Sequence, residues 1–144
     1  MAFLNSLNIA GSALTAERFR TDIILQNLAN STTTRTENGE PYRRKQVVFE
    51  ERGMTFEQNL KQELNKANSG GVRVAQVVES QSPFTPVYDP THPHANEDGY
   101  VMMPNVNTAE EQVDLMAATR AYEANATALN VVKAMALKAL EIGK

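Results

Sequence analysis

From Thr108 to Ile142 the chain contains neither proline nor glycine and is dense in alanine. At 1.5 Å per residue such a segment makes a rod of roughly 50 Å, longer than a small globule needs. One apolar stripe at helical spacing runs Leu115, Ala118, Tyr122, Ala126, Leu129, Val132, Ala136 and Leu140. A second runs Val113, Ala117, Ala121, Ala124, Ala128, Val131, Met135, Ala139 and Ile142. The two lie about 120° apart, so together they take up roughly 200° of the helical wheel. An ordinary surface helix needs an apolar arc of about 100°. Thr119, Arg120, Glu123, Thr127, Asn130, Lys133 and Glu141 fill the remaining polar arc. Two partners are therefore expected on this one helix.

Only one other helix of comparable length is legible. Residues 3–30 place Leu7, Ala10, Leu14, Glu17, Thr21, Ile24 and Leu28 on one face, with Leu25 widening it. Gly11 weakens this helix and lets another backbone approach. One helix can cover one stripe, so the other must be covered by the middle of the chain or by other subunits.

The middle is too polar to be an obvious cover. Residues 30–41 hold no apolar side chain except Pro41 and carry an Asn38–Gly39 turn signal. Tyr42–Glu50 and Val72–Val78 read as strands, the second from its alternation at Val72 and Val74. Phe56, Leu60 and Leu64 suggest a short helix over 55–65, ended by Gly70–Gly71. The stretch Ser82–Pro104 is rich in proline, with Asp98–Gly99 as a turn before Tyr100-Val101-Met102. Thr108 and Glu111 have capping-box form at the start of the long helix. The expected fold class is α+β: long N- and C-terminal helices packed antiparallel like a coiled coil, around a small β-rich middle. The expected divisions are 1–30, 31–107 and 108–144.

Composition excludes several functions. A net charge of −3 does not suit nucleic acid. There is no cysteine, so thiol nucleophiles and cysteine-based metal sites are absent. No apolar run is long enough to span a membrane, and no cationic start with an apolar core marks a cleaved secretory signal. Among chemical clusters, Asp89, His92, His94, Glu97 and Asp98 carry a metal-ligand composition. The proline between the two histidines and the lack of a helical register favour a solvated loop over a metal-dependent hydrolase site. No nucleophile elbow and no glycine-rich phosphate loop are present. Arg43-Arg44-Lys45 reads as the solvent face of an edge strand, or else as a surface for an acidic partner. Asp114 and Asn125 border the apolar arc, as water-exposed gaps or as register-fixing polar contacts.

Several segments in order carry a family resemblance. Asn27-Leu28-Ala29-Asn30 at the end of the first helix resembles the signature of bacterial flagellar rod and hook proteins. So do Pro41-Tyr42-Arg43, Lys45-Gln46-Val47-Val48-Phe49, Gly70-Gly71-Val72-Arg73-Val74 and Val87-Tyr88-Asp89-Pro90. Gly99-Tyr100-Val101-Met102-Met103-Pro104-Asn105-Val106 and Ala118-Thr119-Arg120-Ala121-Tyr122-Glu123-Ala124-Asn125 extend the match nearly end to end, closest to proximal-rod proteins. The resemblance implies a non-enzymatic, cofactor-free subunit of the basal-body rod in the periplasm, transmitting torque around the export channel. It implies export through the flagellar type III apparatus without a cleaved signal, with copies of itself and other rod proteins as partners. The expected assembly surface is Leu7, Leu14, Leu25, Asn27, Leu28, Ala29 and Asn30 on the first helix. On the last helix it is Leu115, Tyr122, Asn125, Leu129, Val132, Ala136 and Leu140. A helical adaptor that closes as a small oligomer is the competing expectation.

Overall fold

A computed structural model describes residues 2–52 and 70–142. In chain order the elements are α1 (Ala2–Ala29), β1 (Lys45–Glu51), β2 (Val72–Glu79), β3 (Thr85–Tyr88), β4 (Tyr100–Met103) and α2 (Thr108–Ile142). Two long terminal helices and a small antiparallel β segment make the architecture α+β, as the sequence patterning indicates. The short helix expected over 55–65 lies outside the described residues. No described helix is long and apolar enough to cross a membrane.

The chain forms two compact units, and α1, β1, β2 and α2 each run through both. The first comprises Met1–Phe19, Val48–Gln76 and Ala117–Lys144. Its buried positions on the helices are alanines, Ala10, Ala16 and Ala118, which let elements approach closely. Ser12 ties β2 to α1: its Oγ donates to the Ile9 carbonyl at 2.8 Å and accepts from the Val72 N–H at 3.0 Å. Gly71 passes against that hydroxyl with φ +152°, and a Cβ there would sit 2.8 Å from Ser12 Oγ. Glycine is thus required here for close approach. By contrast, a methyl group at Gly11 would meet nothing within 4 Å. Gly11 lies open in a groove with Asn8, Thr15 and Phe19, and no described backbone takes the approach it permits.

The second unit comprises Arg20–Val47 and Val77–Met116. The strands β3 and β4 pair antiparallel, with Val87 opposite Val101 and Tyr88 opposite Tyr100. The Tyr88 and Tyr100 rings meet edge to face at 5.3 Å. Strand β3 is absent from the sequence reading because Pro83 and Pro86 argue against a strand. Pro86 sits opposite Met102 in a two-stranded ribbon, where an open edge tolerates a missing N–H. Two loops of this unit use the same turn. Gly39 N–H bonds Thr36 O and Thr36 N–H bonds Glu40 O; Gly99 N–H bonds Asn96 O and Asn96 N–H bonds Tyr100 O. Gly39 and Gly99 have φ of +81° and +80°, the left-handed conformation that glycine adopts without steric cost and that closes each turn.

Strands β1 and β2 are neighbours in a second two-stranded sheet. Ser80 N–H bonds Arg44 O at one end and Arg52 N–H bonds Gly71 O at the other, so the two run antiparallel.

The start of α2 differs from the capping-box expectation. Asn107, not Thr108, is the cap: its Oδ1 accepts the Ala109 N–H at 3.1 Å, and its carbonyl accepts Glu111 N–H at 3.0 Å. Glu111 has no role in the cap because its carboxylate is committed elsewhere.

Candidate functional site

Asn27 lies on the last turn of α1 and is 1 % exposed. Its amide is saturated. Nδ2 donates to Lys45 O at 2.8 Å and to Glu111 Oε2 at 3.0 Å. Oδ1 accepts from Tyr42 OH and from Lys45 N–H, both at 2.9 Å. An amide side chain offers two donors and two acceptor positions, and all four are used. The geometry fixes the amide orientation, because exchanging O and N would set donors against donors.

Glu111 is 0 % exposed. Its second oxygen accepts from Arg44 Nε, and Arg44 Nη2 reaches Asp114 Oδ2 at 3.0 Å. Arg20 on α1 approaches the other oxygen of Asp114 at 3.7 Å. Two arginines therefore face two carboxylates, and the cluster is neutral. Within this unit Arg20 meets Asp114 and Asn27 meets Glu111, so the contact order has α1 and α2 running in opposite senses. A buried carboxylate without partners would be strongly unfavourable, and here each oxygen of Glu111 has a donor.

Tyr42 completes the cluster from the other side. Burial, reinforced by the nearby negative charges of Glu111 and then Glu79, pushes its phenol up to about 12. Arg44 N–H donates to Asn105 Oδ1 at 2.8 Å, and Asn105 Nδ2 donates to the Ser80 and Ser82 carbonyls. Arg43 stacks over Phe84 at 4.4 Å. The basic run is thus not the solvent face of a strand. Arg43 and Arg44 turn inward because an aromatic ring and two carboxylates from distant segments await them. Sequence spacing carries no trace of that pairing.

The remaining residues singled out from sequence divide by exposure. On α1, Leu7, Leu14, Leu28 and Asn30 are partly covered, while Leu25 and Ala29 are exposed. On α2, Leu115, Asn125, Leu129, Val132 and Ala136 are partly covered, and Tyr122 and Leu140 are exposed. Asp114 makes a genuine polar contact, whereas Asn125 bonds its own helix at Ala121 O. The second stripe of α2 is the uncovered one. Val113, Ala117, Ala124, Ala128, Val131, Met135 and Ala139 are exposed, Val131 by 52 % and Met135 by 62 %, and among its described side chains only Ala121 is partly covered.

The histidines occupy a loop of the second unit. His94 Nδ1 lies 2.9 Å from Thr34 Oγ1, and His94 N–H donates to His92 Nδ1 at 3.1 Å. Asp89 caps the turn through Thr91 N–H and Oγ1, and the Thr91 hydroxyl holds its carboxyl below the usual range. Among the described residues no three His, Asp or Glu side chains converge in a geometry able to hold a metal ion.

Known proteins resemble this chain over its whole length. The family model for the flagellar basal body rod FlgEFG protein C-terminal region matches residues 97–142. The flagellar basal-body rod protein FlgC of Bacillus subtilis (strain 168) is 50% identical over 150 aligned residues, covering all of both chains. FlgC of Escherichia coli O6:H1 is 46% identical over 144 residues, again covering all of both. FlgC of Borreliella burgdorferi is 42% identical, covering 99% of this chain and 98% of its own. With the long helices, the buried Asn27 of the first-helix signature and end-to-end identity at this level, the chain belongs to the FlgC family of flagellar basal-body rod proteins.

Proposed function

We propose that this chain is a structural subunit of the flagellar basal-body rod and polymerises through its terminal helices, without catalysis or cofactor. The observation that carries the assembly mode is the uncovered apolar stripe from Val113 to Ala139 on α2. A monomer in water has no reason to keep such a stripe bare; a polymer subunit does, because its neighbours cover it. The polar cluster at Asn27 and Glu111 supports the same reading. It fixes the end of α1 against the start of α2 inside the subunit, leaving the outer helical surfaces for other copies and other rod proteins. Of the surface expected from sequence, Leu25, Ala29, Tyr122 and Leu140 remain exposed and available. Torque transmission through a proximal rod around the export channel, and export by the flagellar type III apparatus without cleavage, complete the proposal.

The test is a strain lacking this chain. It should build no complete rod and should not swim, and the wild-type chain supplied in trans should restore both. Secreted chain should keep the full mass of 15.9 kDa. Complete basal bodies in the deletion strain would overturn the assignment.

A further inference from the structure

A groove of about 470 Å³ opens at the start of α2, lined by Arg44, Ala109, Glu110, Val113 and Asp114. It is shallow and open; its lining includes the Arg44–Asp114 ion pair and the apolar Val113, which is 61 % exposed. Within the lining the charges of Arg44 and Asp114 balance one another. Glu110 adds one negative charge to the lining, is exposed, and has no side-chain partner among the described residues. The groove therefore suits a cation carried on an apolar surface.

This chain presents such a cation further along the same helix. Arg120 is exposed and has no ion-pair partner among the described residues. At helical spacing it stands where the polar arc borders the second apolar stripe, beside the exposed Met116, Ala117 and Ala124 on one side and Glu123 on the other. We propose that Arg120 of a second copy of this chain docks in the groove against Glu110, with the apolar stripes of the two α2 helices meeting alongside. The proposal rests on the reading of the chain as a rod subunit. The groove and Arg120 are different patches, so a parallel, staggered pair of helices makes a heterologous contact, and each copy keeps a free groove and a free Arg120. Repetition then gives an open polymer. An antiparallel pair would satisfy both patches within one dimer and stop there. The opposed charges also select the register, since sliding the stripes sets Arg120 against alanine and leaves Glu110 bare.

Two experiments decide it. Glu110→Lys and Arg120→Glu should each lower basal-body yield by about tenfold, and the two together should return it to within about threefold of wild type. Neutral single variants, or a double variant no better than the worse single, would overturn the contact. The chain has no cysteine, so Glu110→Cys with Arg120→Cys gives the only thiols present. Mild oxidation of intact rods should yield a ladder of covalent multimers, absent from either single variant. A lone dimer band would mean a closed antiparallel contact, and monomers alone would mean that the residues do not meet. Either result, with rods intact, sinks this contact while leaving the rod assignment standing. Loss of that assignment is read separately, from the deletion strain.

Discussion

The Asn27 amide donates to Glu111 at 3.0 Å across 84 positions of sequence, joining the end of one terminal helix to the start of the other. Three further bonds from the same amide reach Tyr42 and Lys45. Removing the amide strands several buried groups at once. Asn27→Leu should destabilise the subunit by about 3 kcal/mol or more, at about 1–3 kcal/mol per unsatisfied group. Urea denaturation measures it; a loss below about 1 kcal/mol would show that the cluster rearranges freely.

Tyr42 makes the same cluster sensitive to alkali. Its phenol is raised from 10.0 to about 12 in the folded chain. The folded state thus holds the proton more tightly, and the associated stability is complete below pH 10. It disappears as pH rises from about 10 to about 12. Tyr42→Phe should remove this slope while costing about 1 kcal/mol at neutral pH, because Asn27 Oδ1 loses one of its two donors. An unchanged alkaline slope in Tyr42→Phe would contradict the assignment.

Gly71 and Ser12 should be coupled. Gly71→Ala should destabilise by about 1–3 kcal/mol, since the new methyl meets the Ser12 hydroxyl and φ is positive. Ser12→Ala should cost about 1 kcal/mol through the unpaired Val72 N–H. Combined, they should cost less than their sum, because removing the hydroxyl makes room for the methyl. Strict additivity in a double-mutant cycle would show that the contact is not what excludes a side chain.

The helices and most of their boundaries were legible because a period of 3.6 persists over many turns, and the glycine turns at Asn38–Gly39 and Asp98–Gly99 announce their own backbone. Strand β3 was not, since Pro86 is permitted by an open edge that only the pairing reveals. The polar cluster was also hidden. Nothing local at Arg44 or Glu111 tells that they meet, and Glu111 three places after Thr108 mimics a capping box that Asn107 in fact supplies. Asn27 stood out only through family resemblance, and its burial explains why an amide, with two donors and two acceptors, belongs there.

The two stripes of α2 should respond differently to charge. Leu129 is partly covered within the chain, so Leu129→Asp should reduce both subunit stability and assembly. Val131 is 52 % exposed, so Val131→Asp should leave subunit stability within about 0.5 kcal/mol of wild type yet stop rod growth. Glu123→Ala on the polar arc is the matched control and should be mild. Basal-body yield, with secreted protein measured alongside, separates the cases; normal rods with Val131→Asp would place that stripe in solvent or facing the channel.

The claim that neighbouring subunits cover the second stripe of α2 is tested most directly at one position. The chain has no cysteine, so Val131→Cys introduces a single thiol of similar size. Its rate of maleimide labelling is to be compared in the dilute subunit and in purified basal bodies. The uncovered stripe predicts fast labelling of the free subunit and labelling at least about tenfold slower in the rod, because apolar surface buried between subunits excludes the reagent. Equal rates in the two states would mean that the stripe stays open after assembly and that the rod is built through another face.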